Sequence, residues 1–555
     1  MPKNRATMPT EDARSPEPAD TLAMALLEAY QLPAIPSSNA YQATRQAFEA
    51  FLQGATCVDI AASALKGIPE VLLDVDDAKA TLKPLVVRHG KLYLSRLDHL
   101  EEQVALQIKA RLAPRDVTRV AGVHWLPQPK ANTTFTGVDQ QKAVHLAVQS
   151  SFAVLTGGPG TGKTTTAACI IGATLETHGL KLEDIRLCAP TGRAASQLHG
   201  GLIEGDKALA LNATRLSCAD ADDMRRRLPK SYTIHKFVRN PEMMAGAKLV
   251  VVDECSMVDL ALFHSLLKLI PADARIVLIG DPQQLPSVDT GSVFADLCGN
   301  ARLQGHLVTL KEPLRAEGEA KVWYDFVVAY RNPTQTSHPT SGLEKAEAKA
   351  IIAASLEGFR AIVTLAKNPT FTKRSATPSA EKLQALTASI KSVRILCAYH
   401  RGELGVRRLN ETIRKELGLV APDAPGSLVM ITRNDHKVTD LSNGDVGLVV
   451  ADGLVWFPGK TVAIPFNQLP PNTPAFATTI HKSQGSEYDK VLLVLPPADK
   501  SSEEDGIEPF INKQLIFTGI TRARRTIALF STSETLYQAL DTPAVRASGL
   551  SERLG

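Results

Sequence analysis

The octapeptide Gly157-Gly158-Pro159-Gly160-Thr161-Gly162-Lys163-Thr164 constrains the fold more than any other stretch of this chain. It fits G-x-x-x-x-G-K-[ST] and stands where that pattern has a physical use. An apolar run at 152–156 precedes it, and a helical run from Lys163 to about Thr177 follows, with Gly179 as its stop. A strand that ends in glycines and opens a helix turns backbone N–H groups inward on a phosphate, and the helix N-terminus adds partial positive charge. A chance glycine-rich turn would lack both flanking elements. The spacing predicts an ATP site in which Lys163 reaches the β- and γ-phosphates and the Thr164 hydroxyl binds Mg²⁺. Thr165 falls in the same cradle.

Short runs rich in Val, Ile and Leu at 185–189, 249–252 and 275–279 each end in a polar or glycine loop. Buried parallel strands joined by crossover helices have this texture. The run at 249–252 delivers Asp253-Glu254, about ninety residues after the glycine loop. There Asp253 is placed to hold Mg²⁺ through water and Glu254 to orient the attacking water. Gly280-Asp281-Pro282-Gln283-Gln284 follows the next run, and Gln284 is a candidate contact to the γ-phosphate. Gln140, just before the first strand, is a candidate reader of the adenine edge. Two distant cations, Arg315 and Arg522, complete the catalytic candidates. A guanidinium supplied across a cleft speeds phosphoryl transfer by roughly 10³–10⁵-fold and makes cleft closure depend on the γ-phosphate.

A second α/β region is predicted from runs at 393–398, 490–495 and 526–530. Within it, residues 425–474 are β-rich and punctuated by Asn443-Gly444-Asp445 and Pro458-Gly459 turns, the pattern of a small β-barrel insertion. The role of 331–390 is not evident from its Ala-, Lys- and Thr-rich composition. Residues 1–20 read as a loose start, and 21–125 as a mainly helical domain with helices at 21–29, 43–52 and 97–112 and one strand at 91–94.

The net charge is only +4 in 555 residues, so charge by itself does not point to nucleic acid. The first 130 residues carry basic and acidic side chains in equal number, which suits protein contact better than a grip on DNA. Cys57, Cys169, Cys188, Cys218, Cys255, Cys298 and Cys397 are scattered, with no C-x-x-C pair and no zinc-ligand spacing. That pattern, with no long apolar run and no secretory leader pattern at the start, reads as cytoplasmic.

Taken in order, Gln140, GGPGTGKT (157–164), APTGRAA (189–195), TIHK (233–236), VVDECS (251–256), GDPQQLPS (280–287), ATTIHKSQGSEYD (477–489) and FTGITRARR (517–525) resemble the motifs of superfamily 1 DNA helicases. The chain is most similar to the RecD branch, the α subunits of exodeoxyribonuclease V (RecBCD), over roughly residues 80 to 535. Pro84 to Leu94 with Glu101 and Glu102, Leu404 to Asn410, and Arg433-Asn434-Asp435 with Asn443-Gly444-Asp445 share that likeness. The resemblance implies two RecA-like P-loop domains, here 126–335 and 336–555, with the segment 21–125 as the partner-binding domain. It also implies 5′→3′ movement on single-stranded DNA at a duplex end, docking on RecB-like and RecC-like subunits, and work in double-strand-break repair and recombination. Cys255 replaces a small alanine common in relatives, and Leu314 stands where many carry an aromatic residue.

DNA contact is expected across the tops of both α/β units, without sequence reading. The candidates are Pro190, Thr191, Arg193, Thr233, His235 and Lys236 on the first unit, and Thr479, His481, Lys482 and Ser483 on the second. With aromatic residues at 5%, phosphate contacts must carry much of the grip. Two other readings remain: a stand-alone helicase of the same branch, and a nucleotide-controlled scaffold of a nuclease complex. The intact Lys163, Glu254 and Arg522 argue against a dead switch.

Overall fold

The computed structural model describes residues 17–75, 83–112, 125, 137–203, 216–311, 318–330, 339, 343–367, 379–435, 438–460, 462–497, 511–542 and 546–555. The four strands expected around the glycine loop lie in a sheet of six, all parallel, with two edge strands that were not expected, Leu307–Leu310 and Tyr232–Thr233. Its order is Leu307–Leu310, Phe152–Gly157, Arg275–Gly280, Leu249–Val252, Ile185–Ala189, Tyr232–Thr233. Alternate side chains of the central strands enter two different cores. Phe152, Val154, Val250, Val252, Ile276 and Leu278 pack on one face, and Ala153, Leu155, Leu249, Val251, Val277 and Ile279 on the other. Burial on both faces is why these strands read as unbroken apolar runs. Their carboxyl ends then place the glycine loop, Asp253-Glu254 and Asp281 to Gln284 along one edge, where open α/β sheets bind ligands.

A second parallel sheet has the order Leu343–Glu344, Ala523–Phe530, Tyr488–Val494, Val393–Cys397, Ala477–Thr479. The stretch 331–390 gains a role here. Its described part supplies the edge strand Leu343–Glu344 and the helices Ala348–Ala366 and Ala380–Ser392, which cover one face of this sheet. Helix Gly318–Ala329 packs on the other face through Trp323 and Val327. By packing, the first unit therefore ends after Leu307–Leu310, earlier than the boundary expected near 335.

The insertion is five antiparallel strands in the order Ile464–Pro465, Leu454–Trp456, Val446–Val450, Leu428–Ile431, Asn472–Pro474. One face joins the core of the second unit, and the other makes a small core of Val429, Ile431, Leu441, Val449, Val455 and Phe457. Among the described residues no ladder joins its two outer strands, so the stretch expected to be a small β-barrel is a five-stranded sheet left open there.

The N-terminal region departs from expectation. Helices Pro18–Ala29, Asn39–Leu52 and Ser95–Lys109 are present, but so is a four-stranded sheet in the order Cys57–Asp59, Lys91–Leu94, Leu85–Arg88, Leu73–Val75. The domain is mixed rather than mainly helical. Strands of three or four residues are too short to show alternation in sequence. Most of the loose start expected at 1–20 lies outside the described residues. Leu97, Leu100, Val104 and Ile108 of the third helix enter a core of the first unit, where Leu550 and Leu554 of the C-terminal helix Leu550–Leu554 join them. No described helix is long and apolar enough to cross a membrane.

Candidate active site

The P-loop geometry follows from two glycines in left-handed backbone, Gly160 (φ +72°) and Gly162 (φ +86°), which only glycine adopts freely. Gly162 caps the helix Lys163–His178. Gly157 runs so close to the edge strand that a Cβ would meet the Leu310 carbonyl at 2.9 Å. Lys163 Nζ donates to the carbonyls of Gly157 (2.8 Å) and Gly158 (2.9 Å), which holds the ammonium over the loop. Gln140 is buried, and its amide donates to the Thr161 carbonyl at 3.4 Å, so it braces the loop.

Facing the loop is a cavity of about 340 Å³ lined by both units. The first unit contributes Pro159, Gly160, Gly162, Lys163, Thr164, Thr165, Asp253, Glu254 and Gln284, and the second contributes Arg522. Two residues from opposite ends of the motor sequence, Lys163 and Arg522, thus share one chamber. Arg522 follows helix Lys513–Ile520 and is buried. Its Nε donates to Thr518 O (3.0 Å), Nη1 to Ser486 O (3.3 Å) and Nη2 to Thr521 Oγ1 (3.0 Å). Burial lowers its pKa, while Glu254, Glu487 and Asp281 favour its charge.

Burial, then the neighbouring Glu254, pushes the Asp253 carboxyl up to about 7, and Lys163 opposes the shift. Asp281 is raised for the same first reason and is likewise opposed by Lys163. Its carboxylate receives the Gln284 amide at 3.3 Å. Glu254 sits in left-handed backbone (φ +52°), with its N–H on Asp253 Oδ1 at 2.9 Å. A non-glycine residue held there is a strained position of the kind that gathers at functional sites. Arg315 and its neighbour Leu314 lie outside the described residues.

Gln197, Lys391, Glu487 and Arg524 also line the cavity and were not foreseen. Arg193, expected on the DNA face, lines it too and donates to Gly444 O of the insertion at 2.9 Å. The walls therefore carry five cations (Lys163, Arg193, Lys391, Arg522, Arg524) against three carboxylates, which suits a polyanion. Burial and the nearby Arg524 and Arg193 charges lower the Lys391 pKa. Of these four unforeseen residues Glu487 and Arg524 carried a sequence signal, through ATTIHKSQGSEYD and FTGITRARR. Lys391 is brought in by a helix whose pattern says nothing of a ligand.

The other DNA candidates share a local design. The hydroxyls of Thr191, Thr233 and Thr479 accept the N–H three residues on, from Ala194 (3.1 Å), Lys236 (3.2 Å) and Lys482 (3.3 Å). Each threonine therefore turns the chain at a strand end. His235, Lys236 and Lys482 are exposed, with the Lys236 ammonium 3.7 Å over the Tyr232 ring. His481 is half-buried and its pKa is lowered by burial. Pro190 and Ser483 are buried, and Ser483 Oγ donates to Ile480 O at 2.6 Å, so neither presents a group to solvent. The described cysteines form no disulfide, and no described cluster of His, Cys, Asp or Glu could hold a metal by itself.

A parallel-sheet P-loop site that shares its cavity with an arginine of a second parallel-sheet unit is the architecture of an ATP-hydrolysing motor. A family model described as an AAA domain matches residues 140–290, and one described as a UvrD-like helicase C-terminal domain matches 474–530. The class is therefore the superfamily 1 DNA helicase. The RecBCD enzyme subunit RecD of Mycolicibacterium smegmatis is 30% identical over 524 residues, covering 89% of this chain and 85% of that protein. Its counterpart in Haemophilus influenzae is 28% identical, covering 85% and 81%. The ATP-dependent RecD2 DNA helicase of Deinococcus radiodurans is 29% identical, and the match spans 84% of this chain but 59% of that protein. The chain belongs to the family of RecD subunits of the RecBCD enzyme.

Proposed function

We propose that this chain is the ATP-driven single-strand translocase of a RecBCD-type helicase–nuclease, moving 5′→3′ from a duplex end beside RecB-like and RecC-like subunits. The observation that carries the reading is the cavity shared by Lys163 and Arg522. Lys163 leaves the loop carbonyls for the β- and γ-phosphoryl oxygens, and Glu254 orients the attacking water. Arg522 stabilises charge that develops on the transferred group, and Gln284 reports that group to the loop behind it. Because Arg522 stands on the second unit, its attraction to the γ-phosphate closes the cleft, and loss of that phosphate lets it open. Gln140 acts at the adenine end of the same site.

Thr164 and Asp253 offer the hard oxygen donors that Mg²⁺ prefers, and both line the cavity. When bound, the ion neutralises charge on the β- and γ-phosphoryl oxygens.

We take the two parallel-sheet units as RecA-like motor domains and the open antiparallel sheet as a barrel-like insertion in the second. Arg193, Thr191, Thr233, His235 and Lys236 on one unit, with Thr479, His481 and Lys482 on the other, grip the strand in alternation. The charge-balanced N-terminal domain is the docking surface for partner subunits, and a reducing cytoplasm is the fitting compartment.

The test uses the full chain assembled with its RecB-like and RecC-like subunits, with any ATP site on those subunits inactivated. Unwinding is measured on duplexes carrying only a 5′ or only a 3′ tail. The expected result is unwinding from the 5′ tail that disappears with Lys163→Gln. Unwinding from the 3′ tail would overturn the polarity, and turnover untouched by Lys163→Gln would overturn the motor.

A further inference from the structure

Residues 546–555 come last in the chain yet lie against the first unit, on the loop that begins at Asp281 and Gln284. Arg546 Nη1 donates to Asp289 O at 2.8 Å and contacts Ser287 Oγ at 3.5 Å. Ser287 Oγ in turn bonds the carbonyls of Asp289 (2.8 Å) and Gly291 (2.9 Å), drawing the loop into a compact turn. From the opposite side the N-terminal domain holds the same turn, with Gly291 N on Gly54 O at 2.8 Å and Thr290 Oγ1 on Phe51 O at 3.4 Å. The Arg546 guanidinium lies on Gly54 itself. A Cβ there would stand 2.5 Å from Arg546 Cζ, so glycine at 54 is what lets the arginine in.

The front end of the loop meets the second unit. Leu285 N donates to Thr518 Oγ1 at 3.0 Å, and the Thr518 carbonyl receives Arg522 Nε. Between front and back lies a second cavity of about 230 Å³, lined by Ser256, Gln284, Ser292, Asp296, Gln514 and Arg546 among others. Gln284 borders this cavity and the nucleotide cavity alike. Ser256 Oγ, Gln284 Oε1 and Ser292 Oγ are buried without a hydrogen-bond partner among the described residues. Buried polar atoms left unpaired are costly, and a polar space this size admits ordered water that would join them.

We infer that Arg546 is a positioning residue for ATP hydrolysis. By clamping Ser287 and Asp289, and by sharing a polar cavity with Gln284, it fixes the Gln284 amide at the edge of the nucleotide site. The inference rests on the reading of Gln284 as the γ-phosphate contact. It also gives the loop a back end anchored in the N-terminal domain.

The test is a double-mutant cycle on the full chain, read as single-strand-stimulated ATPase with kcat and KM resolved. Arg546→Ala is expected to lower kcat by about 10- to 100-fold, as a misplaced catalytic group does, with little change in KM for ATP. Arg546→Lys, which keeps a donor for the Asp289 carbonyl, is expected to recover a substantial part. In the Gln284→Ala background Arg546→Ala should add almost nothing, because both act through one amide. Losses that multiply would mark Arg546 as merely structural, and an unchanged kcat for Arg546→Ala would sink the inference outright. If Gln284→Ala itself turns over normally, the reading of Gln284 fails and this inference with it. A slow Gln284→Ala beside a normal Arg546→Ala leaves the first standing and removes only the second. Thermal melting of each variant reports the folded fraction by which kcat is normalised.

Discussion

Arg553, two residues from the C-terminus, and Glu101, in the helix Ser95–Lys109, form a buried ion pair at 3.1 Å. Their side chains are 8% and 1% exposed. The same guanidinium bonds Asp98 and Glu102, while Glu101 also receives Thr56 Oγ1, Ser548 Oγ and Gly549 N. Removing one partner of such a pair leaves the other charge desolvated and unpaired. Arg553→Ala is therefore expected to cost about 3–5 kcal/mol in urea unfolding, well above a surface pair. A cost under about 1 kcal/mol would show that the tail is not docked in solution.

That joint also marks the limit of what could be read from sequence. The strand ends that carry Asp253 and Gln284 were legible because buried parallel strands leave continuous Val-, Ile- and Leu-rich runs, and the glycine loop because its spacing is set by phosphate geometry. The tail was not, since Leu550-Ser551-Glu552-Arg553-Leu554 gains its meaning only from a helix some 450 residues earlier. Lys391 and Gln197 were hidden for a similar reason: they sit on ordinary helices and become cavity walls only when two sheets face each other. The place of Arg193 on the cavity wall was not legible because its motif fixes where its helix starts, and not that the Gly444 turn of the insertion would receive its side chain.

Gly158 offers a sharper test of packing around the P-loop. A Cβ at this position would stand 2.5 Å from Tyr324 Oη but at an ordinary 3.5 Å from the ring carbon that bears it. The obstacle is one hydroxyl on a helix that packs with the second sheet. Gly158→Ala is expected to weaken nucleotide binding by about 1–3 kcal/mol as the tyrosine is driven aside. Tyr324→Phe in the same chain should restore most of the loss, read as the Kd for a fluorescent nucleotide. Failure of the rescue would mean that Gly158 is required by the phosphate itself.

Asp296 gives a pH dependence with a definite sign. Burial pushes its carboxyl up to about 7 from 3.8, against a hydrogen bond from Ser548, with Glu101 and Glu552 raising it further and Lys91 opposing. A group whose pKa is higher folded than unfolded contributes stability that is complete below the lower value and lost as pH rises through the upper one. Between pH 5 and pH 8 the wild-type chain should therefore lose stability, and Asp296→Asn should lose less, by about 1–3 kcal/mol. Asp253, also raised to about 7, contributes a slope of the same sign, so the variant keeps part of the dependence. Chemical unfolding at the two pH values measures the difference. A variant with the full wild-type slope would mean that Asp296 is ionised in the folded chain throughout.

Arg522 allows the cross-cleft reading to be tested by a substitution that keeps the charge. Its three nitrogens each hold a separate acceptor, the carbonyls of Thr518 and Ser486 and the hydroxyl of Thr521, so the planar fork is oriented from all sides. A lysine ammonium offers one nitrogen on a flexible stem, and it can neither satisfy those acceptors nor reach the transferred group in the same fork. Arg522→Lys is therefore expected to cut single-strand-stimulated ATP turnover by about 10³-fold, close to outright loss of the guanidinium. Nucleotide affinity should change by less than about ten-fold, since Lys163 and the loop N–H groups provide the ground-state hold. Equal losses in affinity and in turnover would place Arg522 in ground-state binding, whereas normal turnover would remove it from the chemistry and leave cleft closure without its trigger.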